Sequence, residues 1–113
     1  MRSKQLAQLV ETALADIKAQ DVQVLDVRKL TSIMDVMIIA SGTSDRHVRS
    51  IADKVIEAAK DKGVRPIGVE GADGGEWVLV DLGDVVVHVM QRRVRELYQL
   101  EKLWELRPAR SRK

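Results

Sequence analysis

Apolar residues recur at three- and four-residue spacing through Leu6, Leu9, Val10, Ala13, Leu14 and Ile17, which predicts an amphipathic helix burying one face. Gln20 and Asp21 interrupt that rhythm, and Val22 to Val27, rich in β-branched residues, reads as a strand. Ser32 to Asp35 makes a turn ahead of Val36 to Ala40, whose unbroken apolarity predicts a central strand covered on both faces. A second helical stripe runs through Val48, Ile51, Ala52, Val55, Ile56 and Ala59. It stops near Lys60, Lys62 and Gly63, a basic last turn followed by glycine. Pro66 to Glu70 predicts a short strand near an edge. Trp77 to Leu82 and Asp84 to Met90 predict a hairpin about Gly83 and Asp84. Helical spacing returns from Arg92 to Trp104 through Val94, Leu97, Leu100 and Leu103.

The order is therefore α-β-β-α-β-β-β-α. It predicts an α+β fold with a single mixed sheet of about five strands, mainly antiparallel at one side, and flanking helices. No repeat or internal linker divides the chain, and 113 residues suit one self-sufficient core. That domain is expected to span residues 1–106, with 107–113 a basic, flexible tail, because no apolar periodicity continues beyond Leu106.

Charge sharpens this division. The net charge is +2, yet Glu105 to Lys113 alone carries +3, which leaves residues 1–104 at −1. A phosphate-binding surface on the fold itself gains little support from that balance. The chain has no cysteine, which excludes disulfides, thiolate zinc sites and cysteine nucleophiles. Its longest apolar runs fall far short of the roughly 18 residues of a membrane span. The N-terminal stretch lacks an apolar signal region and carries Glu11 and Asp16, so the mature start is expected at Met1.

Candidate chemistry is sparse. Ala40-Ser41-Gly42-Thr43-Ser44-Asp45 joins a strand to a helix, where free backbone amides can hold an anion. The preferred reading is structural: Gly42 permits a sharp turn, Thr43 or Ser44 caps the helix, and Asp45 favours its first turn. A similar strand-Gly-Ser-helix start opens nucleotidyltransferases, which need paired carboxylates on one strand face to hold two magnesium ions. No acidic residue here has another two positions on, so that chemistry lacks its ligands and no cofactor is expected. His47 and His88 are the only histidines, and neither has a neighbour that marks it as a catalytic base or metal ligand. His47 reads as a surface or boundary residue. His88 alternates with Val87 and Val89 and is either a satisfied second-face histidine or an interface donor.

The aromatic distribution is more telling. Phenylalanine is absent, the first 76 residues hold no aromatic, and Trp77, Tyr98 and Trp104 all follow. Tryptophan and tyrosine are enriched at interface hot spots. Together with Met90 and the basic residues Arg92, Arg93 and Arg95 at the strand exit, they favour a docking surface over a purely structural role.

These residues also carry a family resemblance. Asp35-Val-Met-Ile-Ile-Ala-Ser-Gly-Thr-Ser-Asp-Arg-His-Val48, Gly68-Val-Glu-Gly71, Glu76-Trp-Val-Leu-Val-Asp-Leu-Gly-Asp-Val-Val-Val-His-Val89 and Arg95-Glu-Leu-Tyr-Gln-Leu-Glu-Lys-Leu-Trp104 resemble the ribosomal silencing factors, the RsfS or Iojap family. The match runs from residue 5 to residue 104. It implies a nucleotidyltransferase-like fold without that activity, in a cytoplasmic bacterial protein with organellar relatives. It further implies binding to the large ribosomal subunit through the fourteenth large-subunit protein on the intersubunit face, which blocks joining of the small subunit and lowers translation when nutrients fail. Carried onto this sequence, the docking region comprises Trp77, Leu82, Asp84, His88, Met90, Tyr98 and Trp104. Trp77 and Tyr98 are expected as apolar anchors, Asp84 and His88 as polar orienters, and Leu82, Met90 and Trp104 as filling or supporting residues. Met90-Gln91-Arg92-Arg93-Val94 is more basic than in many members, which suggests a minor added contact with ribosomal RNA. A homodimer of the free protein stays open.

Overall fold

The computed structural model describes residues 1–100 and 102. The expected Trp104 position and the domain boundary at residue 106 lie outside the described residues. Three helices and five strands follow the predicted order: α1 (Ser3–Asp16), β1 (Gln20–Asp26), β2 (Val36–Gly42), α2 (Asp45–Asp61), β3 (Gly68–Glu70), β4 (Trp77–Asp81), β5 (Val85–Gln91) and α3 (Arg92–Tyr98).

The strands form one mixed sheet in the order β1-β2-β5-β4-β3. Only β2 and β5 are parallel; the other neighbours run antiparallel. The unbroken apolar run of β2 is an interior strand, as its composition requires, but the middle place belongs to β5, which pairs with both β2 and β4. Sequence pattern does not separate the two, because Val85 to Met90 is apolar too except at His88. At the outer edge β3 is cut to three residues. Pro66 has no amide hydrogen to donate, and the ladder starts after it, with the Ile67 amide donating to the Asp81 carbonyl at 2.7 Å.

Strand alternation divides the core into two layers. Ile38, Ala40, Val78, Val80, Val85, Val87 and Val89 face α1 and α2, whose stripes of Leu6, Val10, Leu14, Val48, Ile51 and Val55 complete the main core. The opposite face carries a smaller cluster of Val27, Met37, Ile39, Met90 and Val94, with Leu25, Met34, Trp77 and Leu100 packed against it. Short α3 lies on this second face, so most of the apolar burial is on the first.

Two local expectations need correction. Gln20 and Asp21 do not precede β1 but belong to it: Asp21 takes a left-handed φ of 49° and the register slips between Gln20 and Gln23. This bulge accommodates polar residues that interrupt the alternation. The last helix does not continue unbroken to Trp104 either. Gln99 adopts φ 47° and ψ 47°, and its amide closes on the Arg95 carbonyl at 2.8 Å, ending α3 at Tyr98. The helix face buried on the sheet is Val94 and Arg95, while Leu97 stands 74% exposed, so the leucine spacing does not mark the buried side.

Candidate docking face

The second sheet face is where the late aromatics meet. Trp77 lies opposite Met90 in the β4–β5 register, and Leu79 opposite His88. His88 is thus the diagonal neighbour of Trp77, within reach of a large ring. The indole Nε1–H donates to His88 Nδ1 at 3.0 Å, with the ring centroids 5.9 Å apart. Because Nδ1 accepts, the imidazole proton resides on Nε2. Burial holds His88 neutral and pushes its pKa down to about 4. From the other side Tyr98 brings its ring to 5.1 Å from the indole at a tilt of 50°, a favourable offset geometry. Trp77 is half-buried, and Tyr98 is 59% exposed. His88 is thus a satisfied second-face residue, and its ring orients the half-buried indole.

The remaining expected residues separate. Met90 is fully buried beneath Trp77. Leu82 turns to the opposite side of the sheet and joins the helix-covered core, where its amide donates to the Val85 carbonyl at 2.9 Å as the hairpin closes. Asp84 is exposed in that turn, at the far end of the hairpin from Trp77. Its carbonyl accepts from the amides of Asp35 and Val36 at 2.8 and 3.0 Å, fixing the loop before β2 against the turn.

The strand-to-helix loop is used internally. Ser44 caps α2, accepting from the His47 amide at 3.1 Å. The Thr43 amide donates to His47 Nδ1 at 2.9 Å, and His47 Nε2 reaches the Ile17 carbonyl at 2.9 Å, tying α2 to the end of α1. Gln91 Nε2 donates to Asp45 and to the Gly75 carbonyl. Gly42 sits at the end of β2 for a reason other than a sharp turn: a Cβ there would stand 2.8 Å from Val48 Cγ2, so the glycine lets α2 approach the strand. Among the described residues no group of three His, Asp or Glu side chains is arranged to hold a metal ion.

The basic strand exit is also engaged. Arg92 pairs with Asp21 at 3.1 Å and Arg93 with Glu76 at 2.7 Å, both on the surface. Arg95 differs: it is only 8% exposed, and its Nη1 donates to the Asp21 carbonyl at 2.6 Å and to Ser41 Oγ at 2.9 Å. The sequence groups Arg95 with the basic exit, whereas the fold buries it.

The structure is an α+β sheet with α1 and α2 over one face, and α3 with an aromatic cluster on the other. The chain matches the family model described as "Ribosomal silencing factor during starvation" over residues 1–113. It is 48% identical to the ribosomal silencing factor RsfS of Chromobacterium violaceum over 92% of this chain and 85% of that one. With the RsfS of Haemophilus influenzae it shares 49% identity over 85% of this chain and 93% of the relative. A crystal structure of a Chromobacterium violaceum protein superposes with a TM-score of 0.91 at 48% identity, covering 93% of this chain and 88% of the other. The chain belongs to the ribosomal silencing factor (RsfS) family. That membership places it among ribosome-associated regulators of translation rather than enzymes. Among the described residues no helix is long and apolar enough to cross a membrane.

Proposed function

We propose that the protein binds the large ribosomal subunit at its intersubunit face, through the fourteenth large-subunit ribosomal protein, and sterically blocks joining of the small subunit. Translation is thereby lowered in the cytoplasm under nutrient limitation or in stationary phase. The observation that carries this reading is the Trp77–Tyr98 pair, held half-exposed on the sheet face opposite the one that α1 and α2 pack against. Aromatic rings ordered by the fold supply contact area at low entropic cost, as hot spots require. Occupancy alone accounts for inhibition and needs no reacting group.

The surrounding charge supports a basic protein as the partner. From Pro66 to Gln91 the chain has five carboxylates, Glu70, Asp73, Glu76, Asp81 and Asp84, and no lysine or arginine. Such a rim favours a cationic protein surface and disfavours a phosphate backbone. Trp77 and Tyr98 serve as anchors, Asp84 as a charged orienter, and His88 acts by fixing the indole. Met90 and Leu82 support the face from the two core layers, and Trp104 completes the docking region. Contact of Arg92 or Arg93 with ribosomal RNA is minor in this reading, because both pair with carboxylates of the fold. A homodimer of the free protein belongs to the same reading.

Co-sedimentation tests it. The protein should pellet with isolated large subunits and not with joined ribosomes, and adding it before the small subunit should prevent joining. Equal binding to joined ribosomes, or none to large subunits, overturns the proposal.

A further inference from the structure

Tyr98 can anchor a partner only if α3 holds it against Trp77. That helix is seven residues long, too short to be stable alone, and Leu97 and Tyr98 on it are exposed. Its attachment to the sheet is concentrated at two residues, Val94 in the second apolar cluster and the buried Arg95. The Arg95 guanidinium bridges two strands: Nη1 takes the Asp21 carbonyl of β1 at 2.6 Å and the Ser41 hydroxyl of β2 at 2.9 Å. Ser41 is 1% exposed. The left-handed conformation of Asp21 belongs to the β1 bulge, which thereby acquires a purpose in the site. Arg95 also accepts the Gln99 amide on its own carbonyl at 2.8 Å, ending the helix immediately after Tyr98. Arg95 and Tyr98 stand three positions apart, neighbours on a helix surface.

Resting on the docking reading above, we propose that Arg95 is a positioning residue: it fixes α3 to the β1 bulge and β2 and so sets where Tyr98 meets Trp77 and the partner. Its charge is spent inside the fold, and it makes no contact with nucleic acid. Arg92 reinforces the same junction from the surface, donating to Gln20 Oε1 and Asp21 Oδ2 at 3.0 and 3.1 Å.

The test uses the full chain and isolated large subunits. Arg95→Gln should weaken binding about tenfold, the usual scale for removing a hydrogen-bonded buried charge. The slope of log affinity against log salt should stay at the wild-type value, because no phosphate contact is lost. In a Tyr98→Ala background Arg95→Gln should cost less than about twofold more, since both substitutions disable the same anchor. A slope reduced by about one, the signature of a lost phosphate contact, overturns the proposal, and so does an additive loss in the double variant. Should Arg95→Gln fail to fold, Ser41→Ala decides, because it removes one hydrogen bond and leaves the cation in place. It should weaken binding and alter the near-ultraviolet circular dichroism of the Trp77–Tyr98 pair in the free protein, as Tyr98→Ala does; an unchanged spectrum refutes the positioning role. If wild-type protein fails to bind large subunits, the docking reading falls alone, and the spectrum of Ser41→Ala still decides for or against Arg95.

Discussion

The indole Nε1–H of Trp77 donates to His88 Nδ1 across the β4–β5 ladder at 3.0 Å, coupling the orientation of a half-buried ring to the protonation state of a buried one. The bond exists only while Nδ1 is unprotonated. Most of the expected behaviour of the docking face depends on this pair and on what lies beneath it.

Stability should fall as pH is lowered from about 6.5 to about 4. His88 titrates at 6.5 when unfolded, whereas burial lowers its folded value to about 4. Between those values the unfolded chain binds the extra proton, so stability rises with pH in this window and the contribution is complete above it. The full effect is about 3 kcal/mol. Urea unfolding at several pH values should show that slope in the wild type and a flatter one in His88→Gln. Equal slopes would mean that another group carries the acid sensitivity.

Tyr98→Ala should separate docking from stability. Tyr98 is 59% exposed, so truncation should change stability by less than about 1 kcal/mol yet weaken large-subunit binding by about 2 kcal/mol, roughly thirtyfold. Trp77→Ala should lose at least as much binding and, because the indole packs on the second apolar cluster, more stability than Tyr98→Ala. Thermal midpoints and binding measured on the same samples check both. A stable Tyr98→Ala that still prevents subunit joining at wild-type concentration would remove the residue from the interface.

Met90→Ala should weaken docking only through the fold. The side chain is fully buried opposite Trp77, and removing such a side chain costs about 2 to 5 kcal/mol. Denaturant unfolding should show that loss. If Met90→Ala left stability untouched while abolishing binding, Met90 would be a direct contact.

Gly71→Ala should disturb the docking face from behind. Gly71 has a φ of 83°, and a Cβ placed there would stand 2.1 Å from the Trp77 carbonyl oxygen. A left-handed alanine costs about 1 kcal/mol or more, and relieving the overlap must displace the start of β4. Lower stability together with altered tryptophan emission is the expected result; unchanged emission would show that the loop yields instead of the strand.

Much of the fold was legible because its periods are clean. The α1 and α2 stripes report burial on one side of a local element, and the Gly83 turn its positive φ, each set by neighbours a few residues apart. The end of α3 was hidden because leucine spacing continues past Tyr98, and the stop at Gln99 is a left-handed cap made without glycine or proline. Arg95 was hidden for a related reason: an arginine beside two others reads as surface charge until the Asp21 carbonyl, 74 positions away in sequence, is brought to it.

By itself the sequence determined the element order, the interior character of β2, the exclusion of cysteine chemistry and the late placement of the aromatics. Only the tertiary structure decided that β5 takes the middle of the sheet, that Leu82 turns away from Trp77, and that Trp77, His88 and Tyr98 converge. The physical reason is range. Burial and capping are encoded over one helical turn or one strand, whereas a docking face is assembled where β4, β5 and α3 cross, through contacts whose partners are set by strand order and register.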